Sequence, residues 1–250
     1  MKGEQIVIPS KLQNPILKAS HEYHLGIVRT KSLLRQKVWW PKINQQIEDM
    51  VSNCTACISH TNIQKTPMGH NSSPIEKPWN KVHVDYCGPF PDGTYILGII
   101  DSSSRWPELI ITKDTSSTNT IKLLKRCFSN HGYPATIVTD NGPNLVSADV
   151  KEFCNLYKIH HKKATPYWPQ ANSEIESFYR VVSKYVKTLT AEGRKWKEEI
   201  GDFLLTYRNT PHSTTGVSPS MLLMNRPLRD KIPHIESSAN DQLFQEVKER

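Results

Sequence analysis

Residues 81–90 read KVHVDYCGPF, and the alternation inside them sets the class of fold: Val82 and Val84 face one way along an extended strand, His83 and Asp85 the other. Downstream, YILGIID at 95–101 and LIIT at 109–112 are β-rich apolar runs, and ATIVTD at 135–140 is another short strand. Thr120, Ile121, Leu123 and Leu124 fall at helical spacing. From Ser173 the pattern is helical through SEIESFYRVVSKYVKTLT, and again through WKEEIGDFLLTYRN at 196–209. Strands first, then strand and helix in alternation, then helices predict an α/β domain whose mixed sheet is flanked by helices.

Upstream, Ile27, Leu33, Leu34 and Val38, then Ile43, Ile47, Met50 and Val51, keep helical spacing on either side of Trp39-Trp40-Pro41. Residues 1–60 are therefore expected to form a small all-α module. Between the two patterns lies a stretch rich in Pro, Ser, Asn and Gly with neither period, so 61–77 reads as a linker. The larger domain then covers 78–233, and 234–250 is a polar tail.

The 250 residues are 37% hydrophobic and 22% charged with a mean hydropathy of -0.54, the composition of a chain that buries a core. No apolar stretch approaches the roughly 20 residues needed to span a bilayer, and MKGEQIVIPSKLQ has no signal-peptide apolar region. The expectation is an intracellular chain without a membrane partner. The net charge of +8 is uneven: residues 1–77 hold 10 Lys+Arg against 5 Asp+Glu, 78–230 hold 19 against 15, and 231–250 hold 3 against 4. A basic body favours a polyanion such as nucleic acid, although solubility alone explains such a charge equally well.

Five cysteines, two of them in Cys54-x-x-Cys57, point to thiols and a metal clip rather than to a disulfide framework. His21 and His24, three apart, are expected on one helical face, and 29 residues separate His24 from Cys54. Two His and two Cys suit a closed tetrahedral Zn²⁺ site, a useful staple for a module with little core of its own. His60, three residues beyond Cys57, is a competing ligand.

Three acids stand where strands end or a helix begins, and each has an ordinary explanation. Asp85 could occupy the polar face of an edge strand, and Asp140 opens the turn signal Asp-Asn-Gly. Glu176 closes the capping box Ser173-x-x-Glu176. Glu174 lies about 200° around the helix from Glu176, so only one of the two can serve a shared site. Arg180, Lys184 and Lys187 follow Glu176 at spacings of four, four and three, which suits either phosphate contacts or a solvated face. Tyr167 and Trp168 could stack on bases or pack beneath a loop.

Several blocks together resemble one family. HEYHLGIVRTKSLLRQKVWWP (21–41) with NCTACI (53–58), WNKVHVDYCGPFP (79–91), IVTDNGPNLVS (137–147), TPYWPQANSEIES (165–177) and TYRNTPHSTTGVSPSMLLMNRP (206–227) are similar to successive parts of Ty3/Gypsy-type retrotransposon integrases, relatives of the retroviral integrases. The resemblance implies an RNase H-like core in which Asp85, Asp140 and Glu176 are the catalytic triad and bind two Mg²⁺ or Mn²⁺ ions. It also implies structural Zn²⁺ on His21, His24, Cys54 and Cys57, and DNA contacts from Tyr167, Asn172, Arg180, Lys184 and Lys187. The implied activity is 3′-end processing and strand transfer by a nuclear homo-oligomer, with element and target DNA as partners.

The alternatives are a catalytically silent DNA-binding or scaffold protein derived from an integrase, and a simple RNase H-like nuclease. Ser173 and Ser177 stand where relatives often carry Gly and Arg, Trp168 replaces a common His, and the His pair is one residue tighter than in retroviral relatives. A chain that opens on Met just ahead of the zinc ligands and ends before an SH3-like or chromodomain-like module reads as a fragment, a decayed element or a host-retained copy.

Overall fold

The computed structural model describes residues 5–60, 77–163 and 173–235. In the first stretch, strand β1 (Ile6–Val7) precedes helices α1 (Ser10–His21) and α2 (Ile27–Arg35), strand β2 (Val38–Trp39), and helices α3 (Ile43–Ser52) and α4 (Thr55–Ser59). The helices follow the apolar spacing, but β1 and β2 also pair in parallel, Ile6 opposite Val38. That two-residue ladder corrects the all-α expectation and is too short to leave a periodicity in the sequence. The module closes around Leu33, Leu34, Trp40 and Ile47, each essentially fully buried. Burial of each aliphatic side chain contributes roughly 1.5–3 kcal/mol.

The larger part runs β3 (Lys81–Cys87), β4 (Tyr95–Asp101), β5 (Pro107–Thr112), α5 (Ser117–His131), β6 (Thr136–Thr139), α6 (Ala148–Leu156), β7 (His160–Lys163), α7 (Ser173–Ala191), α8 (Trp196–Asn209) and α9 (Pro219–Met224). The sheet order is β5-β4-β3-β6-β7. The first three strands pair antiparallel, while β6 joins β3, and β7 joins β6, in parallel. Asp85 thus sits on the central strand and not on an edge, a correction that follows from β6 closing the other side of β3. Ser116 caps α5 by accepting the Asn119 N–H at 3.3 Å, and Gly132 ends it at φ +86°, which only glycine adopts without strain.

The sheet is covered on both faces. Val82, Val84, Leu97 and Ile99 pack with Leu124 and Phe128 of α5 and with Val150 and Phe153 of α6. The opposite face sets Ile96 and Ile100 against Ile175, Phe178 and Val182 of α7 and Phe203 and Tyr207 of α8. Tyr23 and Leu25, from the turn after α1, belong to this second core rather than to the helical module's own. In exchange, Ile232 from the C-terminal segment packs into the module's core.

A buried ion pair reinforces this interleaving. Lys37 after α2 meets Asp230, whose other carboxylate contacts are the Asn209 side-chain amide at 2.8 Å and the Ile232 N–H at 2.9 Å. Burial pulls the Lys37 ammonium below its usual range, and the hydrogen bond to Asp230 opposes it. Lys37→Met should leave that carboxylate stranded and lower the stability by about 3 kcal/mol in urea unfolding. Adding Asp230→Asn should recover most of the loss, because the neutral side chain no longer requires a counter-charge.

Candidate functional site

Two sites lie at opposite ends of α7. At the first, α1 ends on His21 and the chain turns back, with His24 at φ +52° and its N–H bonded to the His21 carbonyl at 3.0 Å. The two imidazoles therefore meet through a turn, which corrects the shared helical face expected from their spacing. Cys54 caps α4 and Cys57 lies within it. Cys57 Sγ is 3.5 Å from His21 Nε2 and 3.5 Å from His24 Nδ1, and Cys54 Sγ is 3.5 Å from His24 Nδ1. All four ligand atoms lie within 4.8 Å of one another, the only such closed group among the described residues, and His60 is not part of it.

The three 3.5 Å separations match edges of a tetrahedron with arms of about 2.0–2.3 Å, the geometry of Zn²⁺ bound by two imidazoles and two thiolates, with the group as a whole slightly wider. Burial pushes His21 down to about 4, with His24 the next contributor, and burial likewise lowers His24, so both imidazoles are neutral and competent as ligands. Burial raises the Cys57 thiol to about 11, a shift that a bound dication would reverse. The donor set fits zinc.

At the other end, the parallel register of β3 and β6 pairs Val84 with Thr139, so Asp85 and Asp140 are the next residues along adjacent strands. One Asp85 oxygen accepts the Tyr86 N–H at 2.7 Å, and one Asp140 oxygen accepts the Gly142 N–H at 2.9 Å. Glu176 is exposed in the first turn of α7. Asp85 is half-buried and its carboxyl is raised to about 6, by burial first and then by the negative charges of Asp140 and Glu176, with the Tyr86 hydrogen bond opposing. The three acids thus share one electrostatic neighbourhood, more open than the zinc group, whose crowded charge suits a divalent cation with hard oxygen ligands.

The two glutamates of α7 separate cleanly. Glu174 is held by Arg105 at 2.6 Å, by the Ser102 hydroxyl at 2.9 Å and by His83 at 3.3 Å, so it fastens α7 to the loop after β4 and to β3. One turn beyond Glu176, Tyr179 reaches into the sheet: its hydroxyl accepts the Gly98 N–H at 2.9 Å and donates to the Asp85 carbonyl. A Cβ on Gly98 would stand 2.4 Å from that hydroxyl. The glycine inside the apolar run YILGIID was the one sequence signal of this close approach. Nothing in the sequence announced the partners of Glu174.

The proposed DNA contacts divide. Arg180 and Lys187 are exposed, but Lys184 is half-buried on the helix that α4 packs against, with its charge acting on the Cys57 thiol. Lys184 thus lies closer to the zinc ligands and is less exposed than the other two cations expected to meet phosphate. Tyr167, Trp168 and Asn172 lie outside the described residues, as does the side chain of Ser173.

Family models for the integrase zinc-binding domain and the integrase core domain match residues 8–62 and 76–169. The chain thus carries the match of an integrase zinc-binding domain followed by that of an integrase core domain. An uncharacterized protein of Caenorhabditis elegans is 34% identical over 229 residues, covering 90% of this chain and 18% of that protein. The Pro-Pol polyprotein of feline foamy virus is 25% identical over 92% of this chain and 21% of its own length. The Tf2-3 transposon polyprotein of Schizosaccharomyces pombe is 25% identical over 98% of this chain and 20% of its own. The chain thus spans about a fifth of the length of these curated relatives.

Solved structures share the integrase fold. A simian T-cell lymphotropic virus intasome, in complex with PP2A regulatory subunit B56 gamma, aligns with TM-score 0.56 at 19% identity, over 77% of this chain and 70% of its own. The magnesium complex of the HTLV-2 integrase catalytic core aligns with TM-score 0.50 at 20% identity, over 59% of this chain and 97% of its own.

Two outcomes follow from the acid site. Because Asp85 is raised in the fold, the folded chain holds that proton more tightly than the unfolded chain; this stabilisation is complete below about pH 4 and lost as the pH rises through 6. Asp85→Asn should therefore melt higher than wild type at pH 7.5 without added divalent ions, by about 1–2 kcal/mol, with the gap closing near pH 4 and narrowing in excess Mg²⁺. Gly98→Ala should lower the melting temperature and reduce divalent-ion affinity, since the tyrosine that seats α7 must withdraw.

Proposed function

We propose that the chain is a DNA integrase of the DDE type, a metal-dependent polynucleotidyl transferase that carries out 3′-end processing and strand transfer. The supporting observation is the approach of three carboxylates from three elements: Asp85 within β3 where its pairing with β6 stops, Asp140 just after β6, and Glu176 on a helix seated against β3. Two Mg²⁺ or Mn²⁺ ions held there would activate water or a DNA 3′-hydroxyl and stabilise the leaving oxygen of an in-line displacement. The chain's own part is positional. Asp85 and Asp140 are oxygen ligands on a rigid sheet, Glu176 completes the set from α7, and Arg180 and Lys187 on the exposed side of that helix take DNA phosphates. Tyr167 and Asn172, ahead of α7, are assigned to the same DNA surface.

In this reading the zinc module of residues 1–60 is structural and the core of 78–233 is catalytic. Element ends and target DNA are the substrates, a homo-oligomer brings two ends together, and the working compartment is the nucleus.

Purified chain should join a pre-processed oligonucleotide end to target DNA in Mn²⁺. Asp85→Asn and Glu176→Gln should each reduce the rate on the order of a hundredfold or more while leaving DNA binding intact. Glu174→Gln is the internal control: it should lower the melting temperature yet keep activity within about tenfold of wild type. A folded, DNA-binding chain that stays inactive in Mn²⁺ would overturn the enzymatic reading in favour of a silent scaffold. Cleavage of RNA–DNA hybrids without strand transfer would redirect it to a nuclease.

A further inference from the structure

The zinc ligands are fastened to the helix that carries Glu176. His24 turns Nδ1 toward both cysteine sulfurs, while its other ring nitrogen, Nε2, lies 3.0 Å from Oε1 of Glu192, just beyond the end of α7. Lys184, two turns earlier on the helix that α4 packs against, is half-buried, and its charge acts on the Cys57 thiol and on both histidines. Spacing by four and eight residues puts Lys184, Thr188 and Glu192 along one line of α7. Arg194 completes the clasp: it pairs with Glu192 at 3.3 Å and with Glu199, and donates to the carbonyl of Glu22 between the two histidines at 3.0 Å. Tyr23 and Leu25 of the same turn are buried among Ile175, Phe178, Val182, Tyr185 and Leu189.

We propose that Glu192 and Lys184 are outer partners of the zinc site, Glu192 orienting His24 and Lys184 supporting the Cys57 thiolate, so that zinc occupancy fixes the position of the catalytic helix. An imidazole whose second nitrogen donates to a carboxylate is held in the tautomer that presents the first nitrogen to the metal, and it is the more basic ligand for it. An ammonium at a metal-bound thiolate offsets part of its negative charge and gives the sulfur a hydrogen bond. Among the described residues His21 has no such helper, since its Nδ1 is buried without a hydrogen-bond partner there, and the outer support of the imidazole ligands therefore falls on His24. The proposal rests on the zinc reading and is independent of whether the acids catalyse.

The test uses the whole chain and zinc alone. Affinity is read by competition with a chromogenic chelator for wild type, Glu192→Gln, Lys184→Met and Glu199→Gln. Glu192→Gln should weaken zinc binding by roughly 10–100-fold, and Lys184→Met by less. Glu199→Gln, which removes a partner of Arg194 without touching His24, should bind zinc as wild type does; if Glu192 were merely a salt-bridge residue, the two glutamine variants would match. Hydrogen exchange on the wild type avoids any folding defect of the variants: stripping zinc should speed exchange along 184–191 of α7. Unchanged zinc affinity in Glu192→Gln, or an α7 indifferent to zinc removal, would overturn the proposal. A wild-type chain that fails to bind zinc would overturn the metal site itself.

Discussion

The hydroxyl of Tyr179, inserted into the backbone ladder between β3 and β4, is the contact from which the rest of the acid site takes its position. Asp85 and Gly98 are opposite one another in that ladder, and the hydroxyl bonds to both, accepting from Gly98 and donating to Asp85. Burial holds the phenol well above its usual range, so it remains a donor around neutral pH. Glu176 lies three residues before Tyr179, on the neighbouring turn, and the depth to which the tyrosine enters the sheet therefore sets the height of Glu176 over Asp85. Glu174 fixes the remaining freedom, the rotation of the helix, through Arg105, Ser102 and His83. Two residues apart on a helix is too far around for one site, so the same geometry that ties Glu174 down leaves Glu176 exposed.

The sequence carried the parts of this arrangement that have a period. β3 and β4 are buried strands whose apolar residues reach both layers, and α7 and α8 show long apolar stripes, so all four could be read from spacing. β7 could not: its residues are His160, His161, Lys162 and Lys163, and it is a strand because it lies beside β6 at the sheet edge, where polar side chains are tolerated. α6 is nine residues long and follows a turn, too short for a clear stripe. The zinc ligands were legible as a set but not as a shape, since spacing alone could not reveal that α1 stops at His21. The partial burial of Lys184 was hidden for a related reason: helical spacing gives the side of α7 on which it lies, and only tertiary packing reveals how far other elements cover it.

The positive charge of the chain is consequently arranged in a different way from the single stripe that the sequence suggested. With Lys184 half-buried, the exposed cations on the acid-bearing elements and their sheet neighbour include Arg180 on α7 and Lys162 and Lys163 on β7. The register pairs Lys163 with Thr139, the residue before Asp140, so β7 brings positive charge alongside the acid-bearing end of β6. Between these rims the groups that shift Asp85 are burial, a backbone amide and two further acids, with no cation among them. A phosphate backbone drawn to these rims would meet a patch that repels it, since no cation is among the groups that shift Asp85. If nucleic acid binds as proposed, its affinity at this face would be coupled to divalent-ion occupancy in a way that a basic groove alone would not produce.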